Sequence, residues 1–267
     1  MIFRVIPTAV ATAMLMTAFI VSAQKTVTAE VINLDSPVKM AVFLPEKTKA
    51  TGRMIVNFPG GGYSMVATEH EGTDWSEYFN EMGIAYAVVN YRMPNGDRNI
   101  PITDAENAIR EARKNAEKWN INPNDIGIMG FSAGGHLAST IATHSTGNAA
   151  PNFQILIYPV ISMMPELTHE WSHDNFLGKD ATQSLNRDYS SELNVTEHTP
   201  RAYIALCGDD TCVKPMNSIA YFEALMRHGV PATLHVYDSG DHGWGLRNSF
   251  KYHDQMLSDL CFWLSSF

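Results

Sequence analysis

Features that mark several large classes of protein are scarce in this sequence. Of its 267 residues only 18% are charged, the formal net charge is −9, and no run of lysine and arginine exceeds two residues. Because affinity for a nucleic-acid backbone comes from clustered cations, we expect no nucleic-acid partner. No group of cysteines and histidines has the spacing of a zinc site, so we expect no metal and no other cofactor. No internal repeat is present.

Cysteine is also rare: the chain has 3, at Cys207, Cys212 and Cys261. In an oxidising compartment, Cys207 and Cys212 could pair across a short loop. Cys207 also lies at the end of an apolar run, where a cysteine often serves as a small core residue. Spacing alone does not decide between a disulfide and a core thiol, so both interpretations stay open.

The first 23 residues have the pattern of a secretory signal. One positive charge in MIFR precedes the apolar run VIPTAVATAMLMTAFIV, and small residues follow before Gln24. This order predicts cleavage after Ala23 and a periplasmic or secreted mature protein. A permanent membrane anchor is the alternative. The apolar run is near the lower length for spanning a bilayer, so we expect no stable membrane anchor.

From residue 50 onward, short apolar runs alternate with longer amphipathic stretches. The apolar runs predict strands at 54–58, 85–91, 125–130, 153–159, 202–208 and 233–237. Nearly continuous apolar runs are typical of strands that are covered on both faces in a parallel sheet. Before them, TVTAEVINL and VKMAVFLP predict an antiparallel hairpin.

Helices are predicted between the runs, at 102–119, behind Ser132, at 216–228 and at 249–264. Strand–helix alternation of this kind predicts an α/β fold, with a mainly parallel central sheet flanked by helices. We expect one domain over residues 24–267. Residues 162–200 interrupt the alternation: they are polar and loop-rich and hold three histidines. Their length predicts an inserted lid or a substrate-facing excursion.

A serine between two glycines lies where the predicted strand 125–130 ends. Gly130-Phe131-Ser132-Ala133-Gly134 follows DIGIMG and precedes the helical stretch GHLASTIATH. Strand, tight turn and helix are the context of a nucleophile elbow, in which glycines leave room for the strained turn. An incidental serine in a turn is the alternative interpretation.

Such a serine needs a base, and the base needs a carboxylate that orients it. His242 lies in the glycine-rich segment DSGDHGWG after a predicted strand, where active-site loops of open α/β sheets gather. Asp209 and Asp210 follow the strand AYIALCG, between the serine and the histidine in chain order. This order favours Ser132 as nucleophile, His242 as base and one of the two aspartates as its orienting acid. We favour Asp210.

The developing oxyanion of an attacked carbonyl needs hydrogen-bond donors. The strand MIVNF runs into Pro59-Gly60-Gly61-Gly62-Tyr63, where glycines leave backbone amides uncovered. We predict an oxyanion hole formed by the amides of Gly61, Gly62 and Ala133. A phosphate-binding loop is disfavoured, because no lysine and hydroxyl pair of the P-loop type follows.

These segments together resemble the α/β-hydrolase superfamily over residues 36–265, through NFPGGGY, NYR, NDIGIMGFSAGGHLAS, CGDDTCVKP and SGDHGWG. The chain is more specifically similar to secreted acetylxylan-esterase-like carbohydrate esterases, related to the hormone-sensitive-lipase and feruloyl-esterase branches. In that family the acid is the aspartate three residues before a valine, which matches Asp210 and Val213. Pro59 replaces the histidine of the family's H-G-G-G motif.

The resemblance implies a secreted serine esterase that removes acetyl or other small acyl groups from plant polysaccharides or oligosaccharides. We expect Tyr63 and Trp244 to contact substrate, with Trp75 and Trp171 as further candidate sugar-stacking faces. Two alternatives remain: a serine exopeptidase of the prolyl-oligopeptidase type, and an inactive glycan-binding protein on the same fold. The exopeptidase normally carries an N-terminal propeller, which we do not expect here. The sequence does not indicate an oligomeric state.

Overall fold

The computed structural model describes residues 29–34 and 38–267. The predicted signal segment, residues 1–23, lies outside the described residues. In the described part of the chain, no helix combines the length and apolar character needed to cross a membrane.

A single mixed sheet of 8 strands forms the centre of the structure, in the order β1-β2-β4-β3-β5-β6-β7-β8. β1 pairs with β2 and β2 with β4 in antiparallel fashion, and all other neighbours are parallel. The hairpin and the mainly parallel sheet are therefore confirmed. The strands are β1 Ala29–Asn33, β2 Lys39–Phe43, β3 Met54–Phe58, β4 Ala85–Asn90, β5 Ile126–Phe131, β6 Gln154–Ile157, β7 Ala202–Cys207 and β8 Ala232–Tyr237.

Helices cover both faces of this sheet. They are α1 Trp75–Glu81, α2 Asn99–Lys114, α3 Ala116–Trp119, α4 Ser132–His144, α5 Glu170–Phe176, α6 Gln183–Asp188, α7 Met216–Arg227 and α8 His253–Leu264. Alternate residues of β3 belong to different cores: Met54 and Val56 pack with α2, α4 and α7, whereas Ile55 packs with α1 and α8. Burial on both faces explains why the predicted strands are apolar almost throughout.

Two predicted helices have different bounds in the structure. The helix predicted at 102–119 ends at Lys114, and the single turn α3 follows it. At the break, the Asn115 side chain donates to the carbonyl of Glu111 at 2.9 Å, so it competes with the helical backbone. The helix predicted at 249–264 begins only at His253, because successive turns occupy the residues before it.

The stretch 162–200, predicted to be a lid or an excursion, is a packed part of the fold. It contains α5 and α6, and its backbone is held by buried polar side chains. Asn217 accepts from the amides of Ile161 and Ser162 at 3.0 and 2.9 Å, and Ser190 Oγ accepts from the amide of Met163 at 2.9 Å. Of its helices, α5 lies against the glycine-rich loop 60–62 described below.

All three cysteines are in the described part of the chain, and all are free thiols. The disulfide interpretation of Cys207 and Cys212 is therefore wrong for this structure. Cys207 is the last residue of β7 and is buried in the core that packs against α1 and α8. Burial raises the pKa of its thiol to about 12, which removes the reactive thiolate at neutral pH.

Candidate active site

Ser132 lies at the point where β5 ends and α4 begins. Its φ is +50°, in the left-handed region that non-glycine residues rarely adopt, so the side chain sits on a strained turn. Gly130 and Gly134 make this turn possible. A Cβ on Gly134 would lie 2.0 Å from the carbonyl oxygen of Phe58, and one on Gly130 would lie 2.3 Å from that of Gly134. Glycine is therefore needed on both sides of the serine because a side chain at either position would collide with backbone oxygen atoms.

Three predicted side chains from distant segments converge beside this turn. His242 Nε2 lies 2.9 Å from Ser132 Oγ, and His242 Nδ1 lies 2.7 Å from Asp210 Oδ2. Because the carboxylate accepts the proton of Nδ1, Nε2 is left as the acceptor for the serine hydroxyl. The result is a continuous chain of hydrogen bonds from a hydroxyl through an imidazole to a carboxylate.

The two neighbouring aspartates have different partners. Asp210 has a side chain that is only 1% exposed, and its Oδ1 accepts from the amides of Cys212 and Val213 at 2.9 and 2.8 Å. These bonds hold the carboxylate so that Oδ2 faces His242. Asp209 instead accepts from the amide of Asp241 at 2.9 Å. It therefore ties down the loop before His242 without touching the imidazole.

The predicted oxyanion loop runs directly against the serine. A Cβ on Gly60 would lie 2.9 Å from Ser132 Cβ, and Gly61 and Gly62 have φ values of +131° and +62°. The amide of Gly60 is occupied, since it donates to Glu71 Oε2 at 2.8 Å. No protein acceptor pairs with the amides of Gly61 and Gly62 in the part of the chain that the structure describes. Ala133 occupies the first turn of α4, where helical amides lack intrahelical acceptors.

Two predicted substrate contacts, Tyr63 and Trp244, are buried in the structure. Tyr63 is 2% exposed; its hydroxyl lies 2.8 Å from His136 Nδ1, and its ring stacks on Phe176 at 4.6 Å. Trp244 is 4% exposed and stacks on Phe250 at 4.3 Å. The loops that carry these side chains fold both aromatic rings inward, so Tyr63 serves as a packing residue, whereas Trp244 also lines a cleft next to His242.

Among the other tryptophans considered, Trp75 is fully buried but Trp171 is 53% exposed. Trp171 belongs to α5 and covers Gly62: a Cβ on this glycine would lie 2.6 Å from its Cε3. Asn175 fixes α5 to the same loop by donating to the carbonyl of Gly62 at 2.8 Å. A half-exposed aromatic ring therefore stands at the mouth of the site, next to the predicted oxyanion amides.

Three other histidines differ from His242 and from one another in burial and in their polar partners. His136, behind the serine on α4, lies between the Tyr63 hydroxyl and the carbonyl of Tyr189, 2.8 Å from Nε2, and burial lowers its pKa to about 4. It is a neutral packing residue. His169 precedes α5, and burial followed by the nearby imidazole of His242 lowers its pKa. His198, in the same stretch, is exposed, and its Nε2 lies 3.8 Å from Glu197 Oε1.

A buried network under the site was not indicated by the sequence. Glu71 is 4% exposed and lies in a five-residue turn of π-helix, Glu69–Thr73. Its Oε2 accepts from the amide of Gly60, and its Oε1 accepts from the Tyr158 hydroxyl at 2.8 Å. The same hydroxyl accepts from the amide of Gly245 at 2.9 Å, and the Tyr158 ring lies 4.6 Å from that of His242. One carboxylate and one phenol thus link the oxyanion loop to the histidine loop.

The described residues contain no group of three or more histidine, cysteine, aspartate or glutamate side chains arranged to hold a metal ion. The groups that the structure brings together here are a hydroxyl, an imidazole, a carboxylate and uncovered amides.

The eight-stranded sheet, the serine on a strand-to-helix turn, and acid and histidine on later strand ends define the class of α/β hydrolases. Comparison with known proteins agrees: a family model described as an alpha/beta hydrolase fold matches residues 55–246. The chain belongs to this family.

Two relatives are similar over most of the chain. An acetylxylan esterase of Xylanibacter ruminicola is 49% identical over 261 residues, which cover 96% of this chain and 54% of the relative. The endo-1,4-beta-xylanase B of Butyrivibrio fibrisolvens is 32% identical over 71% of this chain and 32% of its own length. The chain thus spans about half and about a third, respectively, of these two relatives.

A solved structure is similar at nearly full length. The acetyl ester-xyloside bifunctional hydrolase from Caldicellulosiruptor lactoaceticus has a TM-score of 0.81 and 35% identity, covering 86% of this chain and 88% of that one.

Proposed function

We propose that this chain is a serine esterase that removes acetyl or similar small acyl groups from plant polysaccharides or oligosaccharides. The observation that carries the proposal is the unbroken chain of hydrogen bonds from Ser132 through His242 to Asp210, at 2.9 and 2.7 Å. A binding protein has no need for such a chain. The 49% identity to an acetylxylan esterase supports the choice of ester and carbohydrate.

In the proposed reaction, Ser132 Oγ attacks the ester carbonyl carbon as His242 Nε2 takes its proton. The carbonyl oxygen gains negative charge and is stabilised by the amides of Gly61, Gly62 and Ala133. Collapse of this intermediate breaks the ester C–O bond, and His242 returns the proton to the leaving sugar oxygen. Water then attacks the acyl-enzyme by the same route, releasing the acid and restoring the serine. Asp210 holds the Nδ1 tautomer throughout and stabilises the imidazolium.

Trp171 supports a carbohydrate substrate. Half of its surface is exposed beside the predicted oxyanion loop, and aromatic faces of this kind bind the apolar faces of sugar rings. The variant Trp171→Ala should have a higher KM for an acetylated xylo-oligosaccharide than the wild type. The variant Trp171→Phe, which keeps an aromatic ring, should show a much smaller increase. Hydrolysis of an aryl acetate, which has no sugar ring, gives the comparison. An equal change in KM on both substrates would remove this support.

The test of the esterase proposal is labelling of the purified protein with a fluorophosphonate probe. The wild-type protein and Ser139→Ala should react, whereas Ser132→Ala should not. Ser139 is a suitable control because it is a buried serine on the same helix, hydrogen-bonded to Ser191 Oγ at 2.7 Å. Absence of labelling in the wild type would contradict both the esterase and the exopeptidase hypotheses and would leave the inactive glycan-binding protein as the remaining alternative.

A substrate panel then separates the two enzymatic possibilities. The esterase proposal predicts acetate release from acetylated xylan, whereas the exopeptidase alternative predicts amine release from dipeptide amides. We further propose export of the protein through residues 1–23. N-terminal sequencing of the protein from its native host should begin at Gln24, and a start at Met1 would contradict export by cleavage.

A further inference from the structure

A cleft is lined by residues of the loop that carries His242 and of the segment that follows it. It has a volume of about 250 Å³, and its lining includes His242, Arg247 and Lys251 together with Ser239 and Ser249. This volume is just below the roughly 300–1,000 Å³ of pockets that hold drug-sized ligands, so it suits a single sugar ring. The cleft shares the imidazole of His242 with the candidate active site.

The charge of this cleft is opposite to that of the protein. The chain as a whole carries a formal net charge of −9. Two cationic side chains line the cleft, and no carboxylate is among its lining residues in the described part of the chain. Lys251 is partly neutralised, because its Nζ lies 3.4 Å from Asp238 Oδ1.

Arg247 differs from Lys251 in its polar partners. Its Nη1 donates to the carbonyl of Gly243 at 3.0 Å, which holds the side chain over the residue that follows His242. The described residues provide no carboxylate partner for it within salt-bridge distance. A guanidinium has five N–H donors in a planar fork that matches a carboxylate, so most of this capacity is left for a ligand.

The position of the cleft indicates which part of a substrate it would contact. In the proposed reaction the acyl oxygen faces the amides of loop 60–62 and Ala133, and none of these residues lines the cleft. His242 instead returns its proton to the leaving sugar oxygen. The alcohol side of the ester therefore lies nearest to the cleft.

We propose that this cleft is a subsite for the carboxylate of a uronic acid, carried by a sugar next to the acetylated one. The inference rests on the proposed esterase function and adds a substrate class: acidic, acetylated glycans. Arg247 binds the carboxylate, and Lys251 adds positive potential. Ser239 and Ser249 line the same cleft and provide hydrogen-bond partners for the hydroxyls of the sugar.

The test compares two acetylated xylo-oligosaccharides of equal length, one of which carries a uronic acid substituent. The wild type should favour the acidic substrate by about three- to tenfold in kcat/KM, the range expected for one exposed but bidentate ion pair. The ratio should fall toward one in Arg247→Gln, be intermediate in Arg247→Lys, and decrease as salt is raised. Lys251→Gln should change the ratio less.

A binding measurement separates failure of this subsite from failure of the esterase proposal. Calorimetry on Ser132→Ala compares the same two oligosaccharides after chemical deacetylation and needs no turnover. Tighter binding of the acidic one supports the subsite even if no acetate is released. Equal affinities, or a preference that survives Arg247→Gln, would overturn the subsite. Acetate release at equal rates from both substrates would leave the esterase proposal intact.

Discussion

Removal of one hydroxyl from the network under the site should affect both stability and activity. Tyr158 is 1% exposed, and its hydroxyl donates to Glu71 Oε1 at 2.8 Å while accepting from the amide of Gly245 at 2.9 Å. Tyr158→Phe keeps the ring that packs on His242 and Trp244 at 4.6 and 4.7 Å. The substitution therefore isolates the two hydrogen bonds.

The expected loss of unfolding free energy follows from those two bonds. A hydrogen bond to a charged group contributes about 1.5–3 kcal/mol and a neutral one about 0.5–1.5 kcal/mol, so we expect a loss of about 2–4.5 kcal/mol. The amide of Gly245 also loses the partner that holds the histidine loop. We therefore expect kcat to fall about tenfold, equivalent to about 1.4 kcal/mol of activation free energy.

Urea unfolding followed by tryptophan fluorescence measures the stability change, and hydrolysis of an aryl acetate measures kcat under conditions in which the variant is folded. Tyr221→Phe is the matched control. Tyr221 is also fully buried, but its hydroxyl makes one neutral bond, to Gln154 Oε1 at 3.0 Å, far from the site. It should lose about 1 kcal/mol of stability with no change in kcat. If Tyr158→Phe behaves like this control, the network does not support the histidine loop.

Three further predictions concern single side chains. Asp210→Asn should lower kcat by about three to four orders of magnitude, because the imidazole loses the tautomer and orientation it needs. Asp209→Asn, which only loosens the loop, should cost at most about tenfold, and the reverse order would show that the acid is misassigned. A thiol reagent at pH 8 should modify the exposed Cys212 in the folded protein but not the buried Cys207, and the denatured protein should titrate as three free thiols; a count of one would demonstrate a disulfide. The His136 imidazole should remain neutral in NMR titrations down to about pH 5, since its pKa is about 4 in the fold against 6.5 unfolded. Because the unfolded chain binds the extra proton, this histidine should make stability decrease by about 3 kcal/mol as pH falls from about 6.5 toward 4, and an ordinary titration near 6.5 would contradict its burial.

The strands and the position of the serine were accessible from sequence because their signals are local. An apolar run bounded by turn residues predicts a strand wherever both faces are covered, and each of the six strands predicted from residue 54 onward is present with ends within two residues. Gly130 and Gly134 likewise mark the turn by their places on either side of Ser132, and the close contact at Gly130 is with Gly134, four positions away, although the contact at Gly134 is with Phe58 on another strand.

The sequence was less informative where burial depends on distant contacts. Tyr63 and Trp244 lie beside predicted site residues in the chain, but their rings turn inward to stack on Phe176 and Phe250. Proximity in sequence does not show on which side of a loop a side chain lies. Glu71 was not singled out for the same reason: its partners, Gly60 and Tyr158, are up to 87 positions away.

The amino-acid sequence by itself determined the fold class, the nucleophile elbow and the order of serine, acid and histidine, because each depends on local pattern and on strand ends sharing one edge of a sheet. Only the tertiary structure decided which aspartate meets His242, which tryptophan is exposed, and that a buried carboxylate joins the two loops. These features depend on the directions of side chains from separate segments, and packing of the whole chain sets those directions.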